Sequence, residues 1–112
     1  MTNGAGMVRS GVPKVSVGMP AYNSARWIDS SIRSILEQSF TDLELIISDN
    51  ASTDGTYELC MQFAKQDPRI RVLRNERNVG ANRNYLAVLS AARGEYFKWA
   101  ASSDLCAPTF IA

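Results

Sequence analysis

The chain has 112 residues, of which 46% are hydrophobic and 21% are charged, and its formal net charge is +1. This length suits one small domain with one core, and the near-neutral charge gives no electrostatic reason to expect nucleic acid or an anionic membrane surface as a partner. No apolar run approaches the roughly 20 residues that span a bilayer and the start lacks the apolar core of a signal peptide, so we expect a cytoplasmic chain with a flexible leader at 1–13.

Histidine is absent, and the two cysteines, Cys60 and Cys106, are far apart in the sequence. The commonest general base and the commonest transition-metal ligand are therefore missing. Any chemistry must rest on carboxylates, amides, hydroxyls, arginine or lysine. No C-x-x-C pair occurs, which excludes the usual zinc and redox patterns and favours buried free thiols.

Strand-like and helix-like segments alternate along the chain. The run KVSVGM at 14–19 alternates polar and apolar residues and predicts a first strand, and the apolar run LELIISD at 43–49 predicts a buried second strand. Two shorter strands are predicted at 70–74 and 96–99. The helices between them are predicted from apolar stripes at Ile28, Ile32, Ile35 and Leu36, at Tyr57, Cys60, Met61 and Ala64, and at Tyr85, Val88, Leu89 and Ala92.

Three helix ends are predicted from polar and glycine residues. We expect Ser24 to cap the first helix, one residue of the run 52–54 to cap the second, and Gly94 to end the third. Alternation of strands and helices at this spacing predicts a Rossmann-like three-layer α/β/α fold with a mostly parallel sheet.

Polar runs follow three of the predicted strands. They are PAYNS, DNASTDG and SSD, and in parallel sheets ligands bind beyond the carboxyl ends of the strands, so these runs should meet at one edge and suit a polar ligand. A G-x-G-x-x-G motif and a Walker A loop are both missing from the sequence. Pyrophosphate would then have to be held in another way, for which a carboxylate-bound divalent cation is suited.

Two long stretches, VSVGMPAYNSARWIDSSIRSILEQSFTDLELIISDNASTDGTYELC and NVGANRNYLAVLSAARGEYFKWAASSDLCAP, resemble the nucleotide-sugar-binding half of glycosyltransferase family 2, which has the GT-A fold. The resemblance extends from about Val15 to Pro108. It implies a domain at 14–112 that is incomplete at its carboxyl end, with strand order 3-2-1-4. It also implies a parent enzyme that moves a sugar from a nucleotide-sugar, a UDP- or dTDP-sugar, to a hydroxyl of a sugar or lipid-linked acceptor.

The resemblance implies a set of site residues as well. Asp49 would read the base through a ring N–H, because a carboxylate only accepts hydrogen bonds. Asn50 stands where many family members have a second acid, and Arg83 would face phosphate or base. The residues implied for nucleotide-sugar binding are Pro20, Ala21, Tyr22, Asn23, Asp49, Asn50, Gly80, Arg83, Ser102 and Ser103.

Asp104 matches the metal-contacting acid of the family's D-x-D-like motif, whereas Ser103 stands where an acid is common. The resemblance thus implies Mg or Mn held weakly by one carboxylate, since such sites take most ligands from the diphosphate and water. Family members continue into an acceptor-binding part with the catalytic base, so this chain alone is expected to be inactive. The bare edge of the fourth strand is expected to pair with a second copy and form a dimer.

Other interpretations of the same residues stay open. Ser103 makes a non-catalytic glycosyltransferase-like scaffold or binding module the alternative function, and a receiver-like domain with Asp49 as its phosphorylated acid is a weaker one. Asp104 is also suited to a turn that caps a helix, and Asp49 to organising its own loop. The arginines within 69–77 are accompanied by two acids, Asp67 and Glu76, and are expected to form a solvated face.

Overall fold

Strands and helices alternate along residues 12–102, the part of the chain that the computed structural model describes. Ser103, Asp104 and most of the predicted leader lie outside that range. No helix within it is long and apolar enough to cross a bilayer. The elements are β1 (Val15–Ala21), α1 (Ile28–Leu36), β2 (Leu43–Asp49), α2 (Thr56–Gln66), β3 (Ile70–Arg74), α3 (Ala81–Ala91) and β4 (Tyr96–Trp99).

The strands of residues 12–102 form one sheet in the order β3-β2-β1-β4, and each neighbouring pair is parallel. In the β1–β2 register, Val15 lies beside Leu43 and Ala21 lies beside Asp49. The two strands are paired over their full 7 residues, so their carboxyl ends are level with each other. The strand order and the parallel pairing confirm the prediction.

Helices cover both faces of the sheet. Side chains alternate between the faces along a strand, so Leu45 and Ile47 point to one face and Ile46 points to the other. The face of Leu45 and Ile47 packs in one core with α1 and α2. Gly18, the partner of Ile46 in β1, faces α3, because an added Cβ there would lie 2.5 Å from a methyl group of Val88. This arrangement is the predicted three-layer α/β/α fold.

The predicted apolar runs form the interior. Every residue of β2 is buried, as expected for a strand that is covered on both faces. In α1, the side chains of Ile28, Ile32 and Ile35 are all fully buried. β4 differs because it lies at the edge of the sheet, and its Tyr96 and Trp99 remain exposed.

The predicted cap of α1 is wrong. The helix begins at Ile28, so Ser24 comes one turn too early for its hydroxyl to cap it. The Ser24 carbonyl instead accepts hydrogen bonds from the N–H groups of Trp27 and Ile28 at 2.9 and 2.8 Å, which closes a tight turn before the helix. The hydroxyl of Ser24 is thereby available to bond with other loops.

The predicted end of α3 is also wrong. The helix stops at Ala91 and its extended C-cap is Ala92, so Gly94 lies beyond the cap. An added Cβ at Gly94 would lie 2.7 Å from the backbone nitrogen of Ser16. The Gly94 N–H donates to the Ser16 hydroxyl at 2.8 Å. Glycine is needed here because the α3–β4 connection passes so close to β1.

A buried carboxylate lies near the amino ends of the strands, where the sequence pattern gave no sign of one. The Glu44 side chain is only 3% exposed and accepts hydrogen bonds from the Ser16 hydroxyl at 2.6 Å and from Arg71 Nη1 at 3.1 Å. The backbone N–H and the Nε of Arg93 donate to it at 2.8 and 3.1 Å. The prediction of a solvated arginine face is therefore wrong for Arg71. Glu44 joins three strands to the α3–β4 connection.

The charge of Glu44 makes the stability of the fold depend on pH. Burial alone would raise the pKa of Glu44, but hydrogen bonds from Ser16, Arg93 and Arg71 outweigh burial and hold the pKa below its usual range. With a lowered folded pKa, the stabilisation is present above the unfolded pKa of about 4.3. It is lost as the pH falls through the folded pKa.

We expect Glu44→Gln to lower the free energy of unfolding by about 2–3 kcal/mol near neutral pH, because two arginines lose their charged partner. The difference from the unsubstituted chain should shrink as the pH falls below about 4. Urea unfolding followed by circular dichroism measures both effects. Glu58→Gln, at an exposed carboxylate of α2, is the control. An equal pH dependence in Glu44→Gln and in the unsubstituted chain would contradict this account.

Candidate functional site

Loops that follow the strands meet at one edge of the sheet, which we call the carboxyl edge. The Asn50 N–H donates to the Ala21 carbonyl at 2.9 Å, and the Asn75 N–H donates to the Asp49 carbonyl at 2.9 Å. These bonds hold the ends of β1, β2 and β3 side by side. The polar runs after β1 and β2 meet here as predicted, and the loop after β3, which was not among the predicted runs, joins them. The carboxyl edge consists of residues 22–27, 50–55, 75–80 and 100–102.

Asp49 ends β2 at the carboxyl edge and has no exposed surface. One carboxylate oxygen accepts a hydrogen bond from the Ser52 hydroxyl at 2.5 Å, and the other accepts one from the Ser52 N–H at 3.0 Å. Between them, Ala51 takes a positive φ of 62°. Asp49 thus organises its own loop, as one of the two interpretations predicted.

Arg74, at the end of β3, lies beside the buried charge of Asp49. The distance between its Nε and an Asp49 carboxylate oxygen is 3.8 Å. The guanidinium also lies over the ring of Tyr57, 4.3 Å from the ring centroid. A positive group held in this way stabilises a carboxylate that water does not reach.

The loop after β1 is bonded to the loop after β2 through Asn23. Its N–H donates to the Ser52 hydroxyl at 2.8 Å, and its side-chain oxygen accepts from the Thr53 N–H at 2.8 Å. Asn23 has a φ of 48°, a conformation that asparagine tolerates better than most residues. The preceding Tyr22 is 48% exposed, so its ring is available at the edge. Pro20 and Ala21, just before it, are the last residues of β1.

Thr56 makes a second connection between the same two loops. Its hydroxyl accepts a hydrogen bond from the Ser24 N–H at 2.8 Å and donates to Asp54 at 2.6 Å. Asp54 also accepts from the N–H groups of Ala25 and Thr56. The hydrogen bond from the Thr56 hydroxyl is the main cause that lowers the pKa of Asp54. Asp54 thus bonds to the first residue of α2, but the N-cap of that helix is Gly55, which has no side chain to cap it, so the predicted cap within 52–54 is wrong.

Asn50 and Gly80 are brought together by the loop after β3. The Asn50 side chain donates to Asn78 at 2.9 Å and accepts from the Val79 N–H at 3.0 Å. Gly80 has a φ of 90°, which favours glycine at the start of α3. Arg83 lies in the first turn of α3, where it is exposed and makes no hydrogen bond or ion pair within residues 12–102.

Ser102 is attached to the start of the structure's first helix. Its hydroxyl lies 2.7 Å from the Ser24 hydroxyl, and its carbonyl accepts a hydrogen bond from the Ser31 hydroxyl at 2.9 Å. The neighbouring Ser103 and the predicted metal ligand Asp104 lie outside the described residues. Within the described range, no group of three or more acids and cysteines is placed to hold a metal ion.

Sequence reasoning missed several residues that build this edge. It assigned 52–54 to helix capping and gave no role to Thr56, Asn78 or Asn84. One signal was available, because the run NERNVGANRN at 75–84 is rich in asparagine and follows directly on a strand. Amides so placed are suited to bonding loops together, since each one both donates and accepts.

Known proteins resemble this chain both in sequence and in fold. The sequence model described as "Glycosyl transferase family 2" matches residues 16–112. The chain belongs to glycosyltransferase family 2. It is 35% identical to glycosyltransferase GlyG of Streptococcus pneumoniae over 97 residues, which cover 87% of this chain and 32% of that protein. The chain thus spans about a third of the length of that relative.

Solved structures of glycosyltransferases have the same fold. A crystal structure of S. aureus TarS in complex with UDP is similar with a TM-score of 0.79 and 27% identity, over 86% of this chain and 29% of that one. The mannosyltransferase PcManGT from Pyrobaculum calidifontis, in complex with GDP-Man and Mn2+, has a TM-score of 0.77 and 28% identity, over 86% of this chain and 29% of that one. The glycosyltransferase family 2 resemblance implied by the sequence is confirmed.

We expect Thr56→Val to lower the free energy of unfolding by about 1–3 kcal/mol, because the buried Ser24 N–H loses its acceptor and a methyl group replaces the hydroxyl at nearly constant volume. Thermal unfolding measures this loss. Thr53→Val is the matched control, since the Thr53 side chain is exposed and its backbone bond to Asn23 is retained. Equal melting temperatures for the two variants would contradict the bonding role of Thr56.

Proposed function

We propose that this chain is the donor-binding part of a glycosyltransferase and binds the nucleoside diphosphate of a nucleotide-sugar at the carboxyl edge. The observation that carries the proposal is the joining of the loops after β1, β2 and β3 through Asn23, Ser52 and Asn50. Membership of the family supports this ligand class. It is also supported by two similar structures, which are complexes with UDP and with GDP-Man.

The base lies, in this proposal, between Tyr22 and the loop that begins at Asp49. The exposed Tyr22 ring offers a face for stacking, and the backbone at 20–21 lines the same side. Asp49 has only acceptor atoms and suits a ring N–H such as that of uracil. Because Asp49 has no exposed surface, the Ser52 hydroxyl must move away before a base can reach the carboxylate.

The phosphates lie at the start of α3. Backbone N–H groups in the first turn of a helix attract anions, and the positive end of the helix dipole adds to that attraction. Arg83 is exposed in this turn and brings a guanidinium that matches phosphate geometry. Gly80, with its positive φ, lets the backbone approach a ligand without a Cβ in the way.

Ser102 and Ser103 are assigned to the ribose hydroxyls, and Asp104 to a divalent cation. The bonds of Ser102 to Ser24 and Ser31 support a fixed start for this segment. When bound, Mg or Mn would stabilise the negative charge of the diphosphate leaving group. The reaction assigned to the parent enzyme is transfer of the sugar to a hydroxyl of a sugar or lipid-linked acceptor.

We expect calorimetric titration with UDP, dTDP and GDP to detect binding of at least one of them, and Mn to strengthen it. Asp104→Asn should remove the effect of Mn while leaving the metal-free affinity unchanged, because only a cation ligand is lost. The control is Glu95→Gln, at an exposed carboxylate before β4, away from the carboxyl edge.

Each other outcome of this titration contradicts a defined part of the proposal. If the nucleotide affinity changes neither with Mn nor with Asp104→Asn, the chain has a nucleotide site but the assigned cation site is wrong. No binding of any of the three nucleotides would contradict donor binding and favour the alternative function, a scaffold or partner-binding module. UDP or dTDP is the preferred ligand on the sequence resemblance, whereas the complex of a similar structure with GDP-Man makes GDP the necessary comparison.

The dimer remains a prediction, and the edge position of β4 supports it. Tyr96 is 60% exposed and lies in β4, whose outer edge pairs with no other strand of residues 12–102. The exposed side chains of Leu86 and Leu89 are on the preceding helix, α3. We expect sedimentation equilibrium to give twice the monomer mass, and Tyr96→Lys to shift the mass toward the monomer, since charged edges resist pairing. A monomer at all concentrations tested would refute the dimer.

A further inference from the structure

Four asparagines and one serine form a hydrogen-bonded group at the carboxyl edge, which we call the amide cluster. It connects the end of β2 with the loop 75–80 and with the first turn of α3. No part of the function proposed above uses it, apart from Asn50. Its members are Ser48, Asn50, Asn75, Asn78 and Asn84.

Asn84 attaches α3 to β2. Its side chain is 3% exposed, and its oxygen accepts hydrogen bonds from the Ser48 hydroxyl at 2.7 Å and from the Asn75 amide at 2.9 Å. Its own amide donates to the Ser48 carbonyl at 3.1 Å. Ser48 is fully buried, so these bonds fix the height and the rotation of the first helical turn against the sheet.

Asn50 attaches the loop 75–80 to the same strand. It is 4% exposed, and its oxygen accepts from the Asn75 amide and from the Val79 N–H, both at 3.0 Å. Its amide donates to the Asn78 side chain at 2.9 Å and to the Gly80 carbonyl at 3.5 Å. Asn78 in turn accepts from the Gly80 N–H at 2.8 Å. The backbone of this loop is thus held mainly by amide side chains.

We infer that Asn50 and Asn84 are positioning residues that hold Gly80 and Arg83 where the diphosphate of the nucleotide binds. The inference rests on the proposed function. Its basis is that buried amides connect exposed residues of the loop and of α3 to a buried strand end. An apolar core would bury the loop, whereas a cluster of amides holds it at the surface by accepting hydrogen bonds from the N–H groups of Val79 and Gly80.

Position 50 needs an amide rather than an acid in this chain. An aspartate has nearly the same shape and still accepts from the Val79 N–H, but it cannot donate to Asn78 or Gly80. Rotation of the Asn78 amide would restore a bond to the acid only by giving up the one that Asn78 accepts from the Gly80 N–H. Asn50→Asp therefore changes the loop without removing volume.

The test compares Asn50→Asp and Asn84→Ala with the unsubstituted chain, and Gln62→Ala is the control. Gln62 is also a helical amide, but it is exposed on α2, away from the carboxyl edge. Affinities for UDP and UMP, and for GDP and GMP, are measured by NMR titration. Amide hydrogen exchange is measured in the loop 75–80 and, as a reference for global stability, in β1.

We expect both cluster variants to bind the diphosphate about tenfold more weakly and to lose most of the preference for diphosphate over monophosphate. Exchange in the loop should become at least about tenfold faster, whereas exchange in β1 should change much less after Asn50→Asp. Gln62→Ala should match the unsubstituted chain. A merely structural role would weaken diphosphate and monophosphate binding equally.

The two proposals fail in different ways. If the unsubstituted chain binds none of the four nucleotides, donor binding itself is wrong and the positioning role falls with it. If it binds a diphosphate and Asn50→Asp leaves the affinity and the phosphate preference unchanged, only the positioning role is wrong. If Asn84→Ala fails to fold, Asn50→Asp alone tests the positioning role. That variant preserves the shape of the side chain and still accepts from the Asn75 amide and the Val79 N–H.

Discussion

The parallel pairing of β1 with β2 on one side and with β4 on the other is the constraint on which the structure depends. Parallel strands of one sheet all end at the same edge, so the loops that follow them have to meet there. β1 sets the register for both neighbours, since Ala21 ends level with Asp49 and Gly18 lies beside Trp99. The bonds of the loop after β1 to the loop after β2 and to Ser102 after β4 follow from that register.

The polar groups near the amino ends of the strands differ in kind from those at the carboxyl edge. Near the amino ends, Glu44 and two arginines form a charged group that stabilises the fold above the pKa of the carboxyl group. At the carboxyl edge, amides and hydroxyls predominate, and the charge of Asp49 is buried beneath Ser52 with Arg74 beside it. Amides and hydroxyls both donate and accept hydrogen bonds, so they can join the loops without using the charged side chains. Exposed charged groups such as Arg83 then remain available to a ligand.

The period of apolar residues was sufficient to predict the layers, and strand polarity was sufficient to predict that polar loops meet at one edge. The strand order was implied by the family resemblance and not by these patterns. It did not predict the buried state of Glu44, since one acid in an apolar run carries no sign of partners 27 and 49 residues away. The cap at Ser24 and the end at Gly94 were wrong because both residues make contacts with parts of the chain that are distant in sequence. The amide cluster was missed for the same reason.

The most direct test of the central claim is an amide chemical-shift map of the isotope-labelled chain titrated with UDP and, separately, with GDP. The account predicts that the largest shifts fall at Tyr22 and Asn23, at 49–52 and at 79–83, all within the carboxyl edge or directly next to it. Shifts confined to the surroundings of Glu44, or to the exposed side of β4, would contradict it. The same would be true if neither nucleotide changed the spectrum.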